Sequence, residues 1–300
     1  MLGKGSRLRC RQQSVEHGRL GGGWRICEDL GGLRPARYDV GRRFTPPDEG
    51  CIVVSIGIGG SWDFEDAMAQ RGCEVHAFDP TMEYHKRHLL HVRDKPGMRF
   101  YFLGLGAASG ANATTGLSGG YGTILHRLRP LDELISLSLA GRLRKAIDVL
   151  KIDCEGCEWD AFADLERRTP ILLARVQHLL LELHVTPRYG MTHVTKLETL
   201  MGHVIARHDF RLFRVPHKSR GFAYARNETP SVLVEAGLDP IACCYEMHFT
   251  KREYPVAVQT HGAWLAQVEP AYDEDNARRG WPVWRKPDRS GMRSRKDNIL

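Results

Sequence analysis

Apolar and polar positions along the chain repeat with two different periods, and the changes between them lay out the elements. Residues 52–56 are apolar except for Ser55 and predict a buried strand. Gly57, Gly59 and Gly60 then form a tight turn, Ser61 opens a helix, and a short strand over residues 75–78 ends on Asp79. Residues 81–92 read as a second helix and 98–103 as a third strand. Small residues dominate 104–122, which predicts a long loop where a lid over a bound nucleoside or substrate would lie. Leu131, Leu134, Ile135 and Leu139 fall at helical spacing within 131–143. Val149, Leu150 and Ile152 predict a strand ending on Asp153, followed by a turn at Glu155 and Gly156 and a helix from about Glu158, with Trp159 and Phe162 packing it onto the sheet. A further buried strand at 179–183 carries Glu182, His184 and Thr186 at its end. Residues 192–208 are patterned as a helix, and 210–215 and 243–250 as two strands. In the last of these Tyr245, Met247 and Phe249 alternate as in a half-buried antiparallel strand.

Strands alternating with helices imply an α/β fold with a parallel sheet, right-handed crossovers and ligands at the carboxyl ends of the strands. Two closing strands without a full helix between them depart from a plain dinucleotide-binding fold. The pattern resembles the class I methyltransferase (Rossmann-like) arrangement, which implies a seven-stranded, mostly parallel sheet with a terminal antiparallel strand. Three stretches follow. Residues 1–45 are rich in Gly and Arg and predict irregular structure, docked through Trp24 and Ile26. Residues 46–255, entered through the breaker cluster at 45–50, form the domain. Residues 256–300 carry Trp264, Trp281 and Trp284 and read as a basic, largely unstructured tail.

Composition changes this picture little. The chain of 300 residues has 42% hydrophobic and 26% charged residues, which suits a globular domain. The net charge of +7 sits at the ends: residues 1–43 contribute +6, residues 271–300 contribute +3, and the middle is −2. A nucleic-acid partner is therefore not required, and the basic run at 285–296 lacks interleaved aromatics for base stacking. Cys51 and Cys73 sit in apolar surroundings and read as buried free thiols, while Cys10 and Cys27 can pair in an oxidising compartment. Cys154 and Cys157 form a C-x-x-C without a second pair at zinc-finger spacing, so no metal is assigned. No run of 18 apolar residues and no signal peptide is expected. Asn112 and Asn227 each begin a glycosylation acceptor pattern.

The chemistry starts at residues 51–80. Glycines let the backbone approach a ligand, and an acid about 20 residues beyond the first one reaches a ribose diol. A phosphate-binding G-x-G-x-x-G loop from Gly57 needs its third glycine at 62, where Trp62 stands. S-adenosylmethionine has no phosphate, so the mismatch favours it over NAD. The segment DVLKIDCEGCEWD, Asp148 to Asp160, resembles the FkbM-type methyltransferases. Together with Gly57-Ile58-Gly59-Gly60, Trp62-Asp63-Phe64-Glu65 and Leu181-Glu182-Leu183-His184 it resembles an animal branch of that family over residues 50–250.

The resemblance implies S-adenosylmethionine as cofactor, held by Gly57, Gly59, Gly60 and Asp79. Class I methyltransferases usually carry an acid two residues before the first glycine. Ser55 stands there, so Asp63 is the candidate partner of the cofactor's ammonium group. Asp153, Glu155, Glu182 and His184 are the candidate catalytic residues, because strand alternation gathers them at one crevice. Such a group can take a proton from a hydroxyl, through a histidine titrating near neutrality or a carboxylate of raised pKa, or hold a divalent cation. FkbM relatives imply O-methylation of a small-molecule or carbohydrate acceptor. Two other functions fit the residues: a catalytically silent binding module on the same fold, favoured by Ser55, and an NAD-dependent oxidoreductase.

Overall fold

A computed structural model describes residues 10, 13–16, 23–27, 50–106, 113–114, 125–126, 128–139, 146–169, 172–184, 200–215 and 244–251. Along the chain the elements are β1 (Gln13–Glu16), β2 (Trp24–Cys27), β3 (Ile52–Ile56), α1 (Asp63–Gln70), β4 (Glu74–Phe78), α2 (Met82–Val92) and β5 (Met98–Tyr101). There follow the two-residue strands β6 (Gly104–Leu105), β7 (Ala113–Thr114), β8 (Leu125–His126) and β9 (Leu128–Arg129). The remainder is α3 (Leu131–Leu139), β10 (Ile147–Ile152), α4 (Glu158–Arg168), β11 (Val176–His184), β12 (Arg211–Arg214) and β13 (Cys244–Thr250).

Seven strands form one sheet in the order β12-β13-β11-β10-β3-β4-β5. The five from β11 to β5 run parallel, and β13 lies antiparallel to both β11 and β12. This is the expected α/β sheet with a closing antiparallel strand. The strand order reverses between β3 and β10, so the carboxyl ends of these two neighbours border the crevice where such sheets take ligands.

Period-two alternation divides the core between the sheet's two faces. Ile52, Val54 and Ile56 of β3 join Leu150 and Ile152 of β10 and the apolar faces of α3 and α4, with Trp159 and Phe162 buried as the pattern predicts. Val53, Val149 and Leu180 point the other way, onto Phe64 and Met68 of α1. Tyr245, Met247 and Phe249 all face the first side.

Three expectations change. First, β1 and β2 pair as an antiparallel hairpin where irregular structure is expected, with Cys10 disulfide-bonded to Cys27. Trp24 and Ile26 do dock: both are buried on the α1 face, where the Trp24 ring lies 5.5 Å from that of His248. Second, Cys51 and Cys73 are not free thiols but a disulfide. Each immediately precedes a residue of the register pair Ile52–Glu74 on neighbouring strands, so pairing puts the two sulfurs together. Third, the helical pattern at 192–208 is realised from Leu200 as a π turn, Leu200–Ile205, and a 3-10 turn, Ala206–His208. The rest of that pattern, residue 186, the segment 216–240, both glycosylation asparagines and the tail 256–300 lie outside the described residues. No helix among the described residues is long and apolar enough to cross a membrane.

Candidate functional site

At the switch point lies a cleft of about 290 Å³. One wall is the turn after β3 with Asp79 beyond β4, and the other is the turn after β10, from Asp153 to Cys157. Tyr84 of α2 also lines the cleft.

The glycine turn is fixed from several sides. Gly57 has φ +80°, and a Cβ built on it would lie 1.6 Å from the Asp153 carbonyl oxygen, so only glycine fits where the two strand ends meet. Asp153 N–H donates to Ile56 O at 2.9 Å, and Gly57 N–H to Phe78 O at 2.8 Å, which carries the sheet's pairing into both turns. Asp79 is buried, and one of its oxygens, Oδ2, accepts the N–H groups of Ile58 (2.9 Å) and Gly59 (2.8 Å). Its other oxygen accepts Thr81 N–H at 2.8 Å. The carboxylate lies at the predicted strand tip and lines the cleft, and it also organises the loop. A carboxylate has about four acceptor positions, which leaves capacity for a ribose hydroxyl.

Trp62, at the place of a third glycine, is buried as the N-cap of α1. Its indole N–H donates to His88 Nδ1 at 2.9 Å, and its ring stacks on His91 at 4.5 Å. Burial, ahead of the opposing charge of Asp79, pushes the His88 pKa down to about 4, so the ring is neutral and accepts the indole proton.

Gly60 is exposed, outside the cleft lining, and its carbonyl accepts from Arg87 Nη2 at 3.1 Å. Asp63 does not line the cleft either; its N–H donates to Ser61 Oγ at 3.3 Å at the helix start. The carboxylate that meets Ser55 is instead Glu65, two residues after Asp63. The Ser55 hydroxyl donates to Glu65 Oε1 at 2.5 Å, and Lys151 Nζ lies 3.5 Å from the same oxygen while donating to Gly57 O at 2.7 Å. Glu65 is marked in the sequence by its helical position facing the sheet, but an acid on an otherwise apolar face gives no hint of its partner.

Across the cleft, Asp153, Glu155, Glu182 and His184 do come together. His184 Nε2 lies 3.4 Å from Glu155 Oε2, 3.6 Å from Glu182 Oε1 and 3.9 Å from Asp153 Oδ1. Asp153 and Glu155 line the cleft, whereas Glu182 and His184 stand behind them, 2% and 5% exposed. The sequence reading missed Glu158, although it belongs to the segment that carries the resemblance. This fully buried carboxylate accepts the His184 backbone N–H at 2.7 Å and lies 3.0 Å from Nδ1. Burial alone pushes the His184 pKa down, but the charge and hydrogen bond of Glu158, then Asp153 and Glu182, outweigh it and raise it to about 10. The expectation that His184 titrates near neutrality is thereby corrected: with these carboxylates around it the ring is an imidazolium. Cys154 and Cys157 form a disulfide across the turn, so neither offers a thiolate to a metal.

Residues 10–213 match a family model described as a methyltransferase domain. A human protein described as "Probable methyltransferase-like protein 24" is 23% identical over 241 residues, which cover 77% of this chain and 56% of that protein. This chain thus spans about half the length of that relative. Among solved structures, fibrillarin from Aeropyrum pernix, crystallised with natively bound S-adenosyl-L-methionine, aligns with TM-score 0.37 at 12% identity over 69% of each chain. An rRNA methylase from Streptococcus thermophilus aligns with TM-score 0.36 at 13% identity over 68% of this chain and 87% of its own.

Proposed function

Since the chain belongs to the methyltransferase-domain family that its residues 10–213 match, we propose that it is an S-adenosylmethionine-dependent methyltransferase of FkbM type acting on a hydroxyl of a carbohydrate or other small molecule. The observation that carries this reading is the pairing of two walls in one cleft: a glycine turn organised by Asp79 faces the carboxylates Asp153 and Glu155. Gly57 and Gly59 bring backbone close to the cofactor, and Asp79 accepts from its ribose hydroxyls. The cofactor supplies an electrophilic methyl group on a sulfonium, so the protein's task is to align a nucleophile and remove its proton. Asp153 and Glu155 are the groups placed to take that proton. His184, held between Glu158 and Glu182, positions them as a fixed charge rather than acting as the base.

Two rival readings bear on the same residues. A silent binding module is favoured by Ser55; against it stand the carboxylates Asp153 and Glu155 at the cleft. An NAD-dependent oxidoreductase would need space for a pyrophosphate at the start of α1, and there the Trp62 side chain is fixed by His88 and His91.

Calorimetry with S-adenosylmethionine, S-adenosylhomocysteine and NAD tests the reading. Micromolar binding of the first two without NAD supports it, and no binding of either at sub-millimolar concentration overturns it. Release of S-adenosylhomocysteine against a panel of sugars, lipids and peptides then identifies the acceptor class. Release with peptides alone would overturn hydroxyl methylation of a small molecule.

A further inference from the structure

The cluster behind the cleft has the composition and spacing of a metal centre. The coordinating atoms of Asp153, Glu155 and His184 lie within 4.8 Å of one another, and Glu182 Oε1 is 3.6 Å from His184 Nε2. Atoms bound to one divalent cation at about 2.0–2.4 Å sit about 3 Å apart when adjacent and up to about 4.8 Å when opposite. The separations within the group of Asp153, Glu155 and His184 fit that range.

The orientation of His184 is a second, independent observation. Its ring is nine-tenths buried and makes no hydrogen bond through Nε2 among the described residues, yet that nitrogen faces the three carboxylates. The opposite nitrogen is engaged by Glu158, which also accepts the His184 backbone N–H. Trp159 Nε1 donates to the His184 carbonyl at 2.9 Å, so the backbone is held as well as the ring. Once cation binding displaces the Nε2 proton, a carboxylate on the far nitrogen keeps the remaining proton there and leaves the lone pair on the near one, as for metal-bound imidazoles.

We infer that Asp153, Glu155 and His184 bind one divalent cation of the manganese type at the wall of the cleft, with Glu182 beside the imidazole and Glu158 orienting it. One imidazole among carboxylate oxygens suits Mn²⁺ better than the all-oxygen cages of Mg²⁺ and Ca²⁺. The cation takes the place of the proton on Nε2. Its use, to hold an acceptor oxygen beside the transferable methyl, rests on the methyltransferase reading, whereas its binding does not.

The test is titration of the full chain, dialysed against a chelator, with Mn²⁺, followed by calorimetry and by loss of the free-ion electron paramagnetic resonance signal. One ion per chain at micromolar affinity is expected, with Mg²⁺ weaker. Asp153→Asn and Glu155→Gln should each weaken binding at least about tenfold, and Glu158→Gln by about 10–100-fold. Glu155 is half exposed, so its variant keeps the fold and the test does not depend on the buried positions. No saturable binding, or binding that both ligand variants leave unchanged, overturns the site. Cofactor affinity measured in chelator separates the two ideas: if S-adenosylmethionine binds there and Mn²⁺ never does, the metal site falls and the methyltransferase reading stands.

Discussion

The hydroxyl of Ser55 donates to the carboxylate of Glu65 across 2.5 Å, joining the end of the central strand to the first helix. Both are buried, and Lys151 from the next strand closes the group by reaching Glu65 at 3.5 Å and the Gly57 carbonyl at 2.7 Å. The carboxylate beside Ser55 is thus supplied by the helix. Its ammonium partner holds the backbone of the turn that faces the cofactor.

Lys151→Met should therefore affect two properties. It strands a buried carboxylate, a change that costs about 3–5 kcal/mol when one partner of a buried pair is removed. It also frees Gly57 O, so S-adenosylmethionine affinity should fall with stability. Urea unfolding and calorimetry measure the two. The double variant Lys151→Met with Glu65→Leu should lose clearly less than the sum of the single losses, because no unpaired charge is left. Strict additivity would mean that the two side chains do not act as one unit.

Gly57→Ala places a methyl against the Asp153 carbonyl and forces an alanine into the left-handed region. That carbonyl is backbone just past β10, held where Asp153 N–H donates to Ile56 O, and cannot yield. A stability loss above about 3 kcal/mol is expected, in the range of severe overpacking plus backbone strain. Gly59→Ala meets nothing within 4 Å and has only its φ of +59° to oppose it. Thermal melts of the two variants should differ widely, and equal melting temperatures would mean the strand ends are not in contact at Gly57.

Much of this site is legible in the sequence because local signals agree there. The strand, the glycines and the acid after the next strand follow one another within 30 residues, and each is read from neighbours along the chain. What the sequence hides depends on contacts across the sheet. Cys51 and Cys73 look like buried thiols because their apolar neighbours are the same with or without a bond, and only the register of β3 against β4 brings them together. Glu65 and Glu158 are hidden for a similar reason: their partners Ser55 and His184 are 10 and 26 residues away. The β1–β2 hairpin is masked by its glycine- and arginine-rich setting, since four-residue strands gain their stability from docking Trp24 and Ile26 rather than from pattern.

Asp79→Ala should weaken cofactor binding and also destabilise the fold. Three backbone N–H groups, of Ile58, Gly59 and Thr81, lose their acceptor together. Each such group left unsatisfied in the interior costs about 1–3 kcal/mol, with water able to recover part at the cleft. Asp79→Asn keeps one acceptor oxygen and should lose less stability than Asp79→Ala. A melting temperature unchanged in the alanine variant would show that the loop does not depend on this carboxylate.

The acid side of the stability profile should carry the mark of His248. Burial, then the positive charges of Arg214 and Arg25, push its pKa down to about 3 from the usual 6.5. The ring is packed between Trp24 and Phe213, and neither nitrogen has a hydrogen-bond partner among the described residues. The unfolded chain takes a proton here below about pH 6.5, while the folded protein refuses it until about pH 3. Stability is therefore fully present above pH 6.5 and falls as pH drops from there, by up to about 1.4 kcal/mol per pH unit for this group. His88, lowered to about 4, adds a similar contribution over a narrower window. His248→Leu removes one of the two, so the difference in unfolding free energy between variant and wild type should shift in the variant's favour by about that slope between pH 6 and pH 4. Parallel profiles for the two proteins would show that His248 is protonated in the folded state.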